Sequence, residues 1–173
     1  FLDAYLERRR ADSKGATVVA IGQVVNDLTG FFGETTNLRD VTEARADAFR
    51  THYLTRGLAD ATVARRLKTC RMLFKYALRM KLVNANPFAE VTAKNGTSEE
   101  RQHYVSASDT DRLLAACNPQ WRIIVALARY GGLRCPSEVL SLEWAHVNFE
   151  SNRLTVPSPK TEHIPGKGYR VIP

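Results

Sequence analysis

The chain has 173 residues, 44% hydrophobic and 25% charged, the composition of a soluble globular protein of one large or two small domains and too apolar for a disordered one. No uncharged apolar stretch is long enough to span a bilayer, and Phe1-Leu2-Asp3-Ala4 meets charge where a secretion signal needs an apolar run. Lysine and arginine number 25 against 18 acids, a net charge of +7, and where that surplus sits matters more than its size.

Cys70, Cys117 and Cys135 are odd in number and widely spaced. That argues against a disulfide framework and against a zinc site, so no metal is expected and a reducing cytoplasm is the expected compartment. The chain begins without Met and reads as a processed or excised piece of a longer protein.

Residues 1–91 read as four helices. The first covers about 1–13, with Leu2, Tyr5 and Leu6 inward, and Ser13-Lys14-Gly15 breaks it. The second, about 16–32, carries Val18, Ile21, Val24, Val25, Leu28 and Phe32 at helical intervals and closes at Gly33. Thr42 is a natural N-cap for a third helix to about Tyr53-Leu54.

The fourth helix, about 60–81, concentrates the charge. It holds Arg65, Arg66, Lys68, Arg71, Lys75, Arg79 and Lys81 against a single acid, Asp60. Asp60 or Thr62 is expected to cap its start, and Asn84-Ala85-Asn86-Pro87 ends it. At about 100° per residue, Val63, Leu67, Cys70, Phe74, Ala77 and Leu78 form one apolar stripe, with Arg65, Lys68, Lys75 and Arg79 in a narrow arc beside it. Such a face is often merely solvated, but solvated faces usually mix signs to gain i,i+4 pairs. A face of one sign repels itself and suits an anionic partner.

Residues 92–103 are polar and lack apolar periodicity, and are read as a linker. In the remainder, 104–173, Ser106 or Ser108 caps a helix through Leu113-Leu114, and Asn118-Pro119 separates it from a second that runs through Trp121 to about Tyr130. Gly131-Gly132 ends that one, and a third short helix is expected after Pro136, with Val139, Leu140 and Leu142. Residues 147–149, 153–156 and 169–172 alternate as strands of a small three-stranded sheet. Trp121 and Trp144 are expected in the core, and His52, His103 and His146 are read as structural.

Leu127-Ala128-Arg129-Tyr130-Gly131-Gly132-Leu133-Arg134, followed by Ser137-Glu138-Val139-Leu140, resembles the arginine box of the tyrosine recombinase (phage integrase) family. The strand at Arg153–Val156, then Lys160-Thr161, then Tyr169–Pro173 resembles that family's lysine-bearing β-hairpin. Asp60–Leu67, with Phe74-Lys75-Tyr76-Ala77 and Asn86-Pro87-Phe88, resembles its helical core-binding domain. The resemblance implies a mainly α fold: an N-terminal four-helix SAM-like core-binding bundle, then a truncated α+β tyrosine-recombinase catalytic domain with a small antiparallel sheet.

It also implies cofactor-free DNA strand transfer through a 3′-phosphotyrosyl intermediate, in a bacterial or phage-derived protein. Arg134 takes the place of the family's first arginine, Lys160 that of its lysine, and Glu138 that of the acid that orients the arginine. Thr62, Arg65, Arg66, Lys68, Arg71 and Lys75 are the candidates for contact with double-stranded DNA, and other recombinase protomers are the partners implied on DNA.

Two departures stand out. The family's acid commonly follows its arginine by three residues, whereas Glu138 follows Arg134 by four. Both offsets share one helical face, so the carboxylate can still reach back. The H-x-x-R box and nucleophilic tyrosine of the family have no counterpart here: Tyr169 is a strand residue, and His163 is read as a loop histidine that could touch DNA. The chain is therefore expected to be the N-terminal and central part of a recombinase, inactive alone. Lys167 lies in the same loop as Lys160, which could then be an ordinary exposed lysine. A non-catalytic recombinase-like DNA-binding protein and a basic helical module for an acidic protein stay open, as do type IB topoisomerases and telomere resolvases, which share the chemistry.

Overall fold

The computed structural model describes residues 1–94 and 102–173, so the expected linker falls in part outside the described residues. The chain divides into two compact units, residues 1–101 and 102–173.

In unit 1, α1 (Leu2–Asp12) and α2 (Gly15–Phe32) are joined by a break at Ser13 and Lys14. Gly33 ends α2 at φ 92°, a left-handed value that costs glycine little. A 3-10 turn (Leu38–Asp40) leads to α3 (Glu43–Thr55), where Thr42 Oγ1 accepts the Arg45 N–H at 3.3 Å. The long helix α4 (Asp60–Arg79) follows. Its cap differs from expectation. Ala59 precedes the first turn without a side-chain bond, and Asp60 sits inside that turn, where its negative charge complements the helix dipole.

The core of unit 1 is an aromatic cluster centred on Phe49, with the Tyr53 ring at 4.5 Å, Phe31 at 5.2 Å and Phe88 at 6.0 Å. Phe88 is brought back onto α4 by Asn86, whose amide donates to the Arg71 carbonyl at 3.0 Å and accepts from the Phe88 N–H at 3.0 Å. The apolar face of α4 is shifted from the predicted stripe. Leu73 is fully buried and Leu78 is 39% exposed, because the flank holding Leu73 is covered and the opposite edge is open.

In unit 2, α5 (Ala107–Ala116) starts at Ser106, whose Oγ accepts the Asp109 N–H at 3.1 Å. In α6 (Pro119–Arg129), Asn118 Oδ1 accepts the Trp121 N–H at 2.9 Å and Pro119 takes a first-turn position, where no N–H is missed. A 3-10 turn (Trp144–His146) feeds β1 (Val147–Asn148), β2 (Arg153–Pro157) and β3 (Tyr169–Ile172), an antiparallel sheet in that order. Leu133, Val139 and Val156 form its core, with Ile124, Leu127 and Ile172 against them.

Two expectations are corrected here. Residues 135–141 form consecutive turns rather than a helix. The Val139 N–H reaches the Arg134 carbonyl five residues back, at 3.3 Å, which breaks the regular i→i−4 ladder. Trp121 and Trp144 are not core residues but stand 56% and 83% exposed. Trp121 lies in the first turn of α6, before Ile124 and Leu127 in the following turns, and Trp144 lies on the 3-10 turn. Among the described residues no helix is long and apolar enough to cross a membrane.

Candidate functional site

In unit 1 the candidate surface is the outer face of α4. Arg65, Lys68, Lys75 and Arg79 are exposed on one arc of the helix, and none has an ion-pair partner among the described residues. Thr62 and Arg71 are half-buried at its margins, and the Arg71 Nε is buried without a hydrogen-bond partner among the described residues.

Arg66 is placed differently. It lies about 100° round the helix from Arg65, on the flank where Leu73 is buried, and its guanidinium is 2.6 Å from Asp27 Oδ2. Asp27 also accepts from Tyr53 Oη at 2.9 Å and from Arg56 at 3.1 Å, and Arg66 lies over the Tyr53 ring, 5.4 Å from its centroid. Arg66 is thus part of an internal polar cluster rather than of the exposed arc. Burial pushes the Tyr53 phenol and the Cys70 thiol well above their usual values, so both stay protonated at neutral pH.

In unit 2 the candidate site begins at the end of α6. The Tyr130 N–H bonds the Ala126 carbonyl at 2.8 Å, and the Leu133 N–H bonds the Leu127 carbonyl at 3.2 Å. Between them the chain reverses through Gly131 and Gly132, the latter at φ 62°. A Cβ on Gly131 would lie 2.8 Å from the Leu127 carbonyl oxygen and 2.7 Å from Leu133 Cδ1. Gly131→Ala is therefore expected to displace this turn and lower the stability of unit 2 by roughly 1–3 kcal/mol. Thermal unfolding checks this, and unchanged stability would show that the turn has room for a methyl group.

Leu133 anchors the turn in the core, and Arg134 emerges beyond it with its side chain half exposed. Glu138, with its side chain only 1% exposed, reaches back as the offset of four allows. Its carboxylate accepts the Arg134 backbone N–H at 2.9 Å and is paired with the Arg134 guanidinium. It also accepts a hydrogen bond from Arg170 at 3.2 Å on Oε1, has the other terminal nitrogen of that guanidinium as an ion-pair contact 2.9 Å from Oε2, and accepts a longer bond from Ser158 Oγ at 3.4 Å. Burial alone would raise the Glu138 carboxyl, but the bonds from Arg134 and Arg170 outweigh it and hold the group below its usual value. Two guanidinium groups share one carboxylate, so the cluster keeps a net positive charge.

Sequence reasoning missed Arg170 and Ser158. A signal for Arg170 existed: period-two alternation puts it on the same strand face as Ile172, which packs in the core, so an arginine there needs a buried partner. Arg170 also donates to the Gly132 carbonyl at 2.8 Å, tying β3 to the glycine turn. Ser158 opens the loop that carries Lys160. Its N–H bonds the Gly168 carbonyl at 2.8 Å, and its carbonyl accepts the Thr161 N–H at 2.9 Å. Lys160 stands exposed in that loop, as do His163 and Lys167.

The structure thus brings Arg134 and Glu138 into direct contact and places Lys160 two residues from another Glu138 partner. Among the described residues no group of three or more His, Cys, Asp or Glu side chains is arranged to hold a metal ion.

The Phage integrase SAM-like domain family model matches residues 1–96. Comparison of the sequence with curated proteins gives no significant match. Among solved structures, a lambda integrase dimer bound to a COC′ core site aligns over 99% of this chain and 60% of its own, with 20% identity and a TM-score of 0.79. The Tn1549 transposon integrase in complex with a circular intermediate DNA aligns over 99% of this chain and 55% of its own, with 16% identity and a TM-score of 0.74. The integrase-like domain from Bacillus cereus aligns over 60% of this chain and 87% of its own, with 19% identity and a TM-score of 0.50. This chain spans little more than half the length of those lambda and Tn1549 integrase chains. The chain belongs to the phage integrase SAM-like domain family, and its fold is that of the tyrosine recombinase integrases.

Proposed function

We propose that this chain is the DNA-binding and partial catalytic portion of a site-specific tyrosine recombinase. The observation that carries the reading is the arc of Arg65, Lys68, Lys75 and Arg79, four exposed cations on one helix face with no paired acid among the described residues. Such an arc can follow a phosphate backbone, where contacts position the protein without reading bases. Two of the solved relatives, the lambda and Tn1549 integrases, are complexes with DNA, the lambda one as a dimer, which supports duplex DNA and further protomers as partners.

In unit 2, Arg134 would meet the scissile phosphate, and Glu138 would hold its guanidinium. A planar guanidinium matches two phosphate oxygens and stabilises the charge of the transition state. Lys160 would protonate the leaving 5′ oxygen, which an ammonium can do and a guanidinium cannot. The attacking tyrosine and the second arginine would come from outside these 173 residues, so this portion alone is proposed to bind but not to cleave. The three thiols and the DNA substrate favour a cytoplasmic setting.

Fluorescence anisotropy with a labelled duplex of arbitrary sequence, between about 50 and 200 mM salt, tests the reading. Four phosphate contacts predict a slope of log affinity against log salt near −3.6, at about −0.9 per phosphate. No binding at low salt would return the chain to the class of modules for acidic proteins.

A further inference from the structure

Helices α1 and α4 leave between them a trough of about 500 Å³ whose wall and floor are apolar. Tyr5, Met72, Tyr76 and Leu78 supply that surface, and Met72 and Leu78 remain 38% and 39% exposed. Around it stand Arg8, Arg9, Lys75 and Arg79, and among the described residues no carboxylate lines the trough. The Arg8 and Arg79 guanidinium groups both lie on the Tyr76 ring, 4.7 Å and 5.0 Å from its centroid. Arg9 meets Asp12 at 3.1 Å through a terminal nitrogen, while its Nε is buried without a partner among the described residues. Four cations are thus gathered round a concave, partly open apolar surface.

We propose that this trough docks an acidic amphipathic segment of a partner protein, with a large apolar side chain on Met72 and Leu78 and its carboxylates on the arginine rim. A concavity of this size and lining accepts one or two apolar side chains. A DNA backbone is convex and presents phosphates, and the exposed Arg65 and Lys68 that suit it do not line the trough. An unbranched methionine adapts to different apolar partners, and the one-sign rim selects an acidic one and fixes its orientation. The inference does not depend on the DNA reading, but the two surfaces share Lys75 and Arg79, so duplex and acidic segment are expected to compete.

The chain contains two methionines, which makes the test local. Met72 lines the trough and Met80 does not. The intact chain, labelled at its methionine methyl groups, is titrated by NMR with a synthetic peptide that has glutamates on one helical face and leucine and phenylalanine on the other. The Met72 signal should shift and saturate while Met80 stays in place. Arg79→Glu and Leu78→Asp should each weaken binding by about tenfold or more, as should a peptide with serine for its apolar residues. Equal binding of the serine peptide, or equal shifts at both methionines, would overturn the proposal. So would a Met72 signal that moves with a short duplex and not with the peptide, which would assign the trough to DNA.

Discussion

Reversal of Lys68 and Lys75 to glutamate is expected to weaken binding to every duplex by on the order of a hundredfold at low salt and to flatten its salt dependence by about two units of slope. Both side chains are exposed on the basic arc of α4, and neither has an ion-pair partner among the described residues. The double variant removes two phosphate contacts and adds two negative charges to the face that meets the backbone. Exposed positions of this kind change stability by about 0.5 kcal/mol or less, so the loss should appear in affinity and not in thermal unfolding.

Arg66→Ala is the informative contrast. Its guanidinium is held by Asp27 beside the Tyr53 hydroxyl, so its removal should lower the stability of unit 1, by roughly 1–3 kcal/mol, and leave the salt slope nearly unchanged. Anisotropy titrations at several salt concentrations, paired with thermal unfolding, separate the two. An unchanged slope in the Lys68/Lys75 variant would remove this face of α4 from the DNA interface.

The behaviour of Arg66 shows where sequence periodicity runs out. The pattern of α4 placed a basic arc beside an apolar stripe, and the helix spans Asp60–Arg79 much as that pattern requires. Periodicity gives the angle of a residue about its own helix, however, and not which neighbour covers that angle. Asp27, which draws Arg66 inward, lies 39 residues away on α2.

The same limit applies in unit 2. The spacing of Val139, Leu140 and Leu142 suggested a helix, but Val139 is buried and Leu140 is 73% exposed on a run of turns. That backbone answers to the Glu138 carboxylate, which bonds the Arg134 N–H and Arg170, 32 residues further on. Short-range signals such as the Thr42 and Ser106 caps were legible because both partners lie within three residues. The contacts that shape the site cross the unit, and a single sequence does not pair them.

Glu138→Gln is the second large effect. The wild-type carboxylate carries the charge that balances Arg134 and Arg170 and is almost fully shielded from water. Glutamine keeps the shape but leaves two guanidinium groups side by side without a counter-charge. Removing one member of such a group costs several kcal/mol when all partners are buried. Arg134 and Arg170 are partly in water, so a loss of roughly 2 kcal/mol in unit 2 is expected at neutral pH.

The pH dependence has a definite sign. A carboxyl held below its unfolded value, about 4.3 for glutamate, stabilises the fold above that pH, and this stabilisation is lost as pH falls through the lower folded value. The wild-type chain should therefore lose stability in that acid range, and the glutamine variant should lack this contribution. Urea unfolding at neutral pH and across the acid range reads both effects. A consequence for Arg134 follows from the same contacts. With Glu138 neutral, its half-exposed guanidinium loses the anchor that fixes its direction, so the NMR signal of its side-chain Nε–H should broaden or shift. Equal stability at neutral pH, an unaltered acid limb and an unmoved Arg134 signal would together remove Glu138 from the role of holding the arginine.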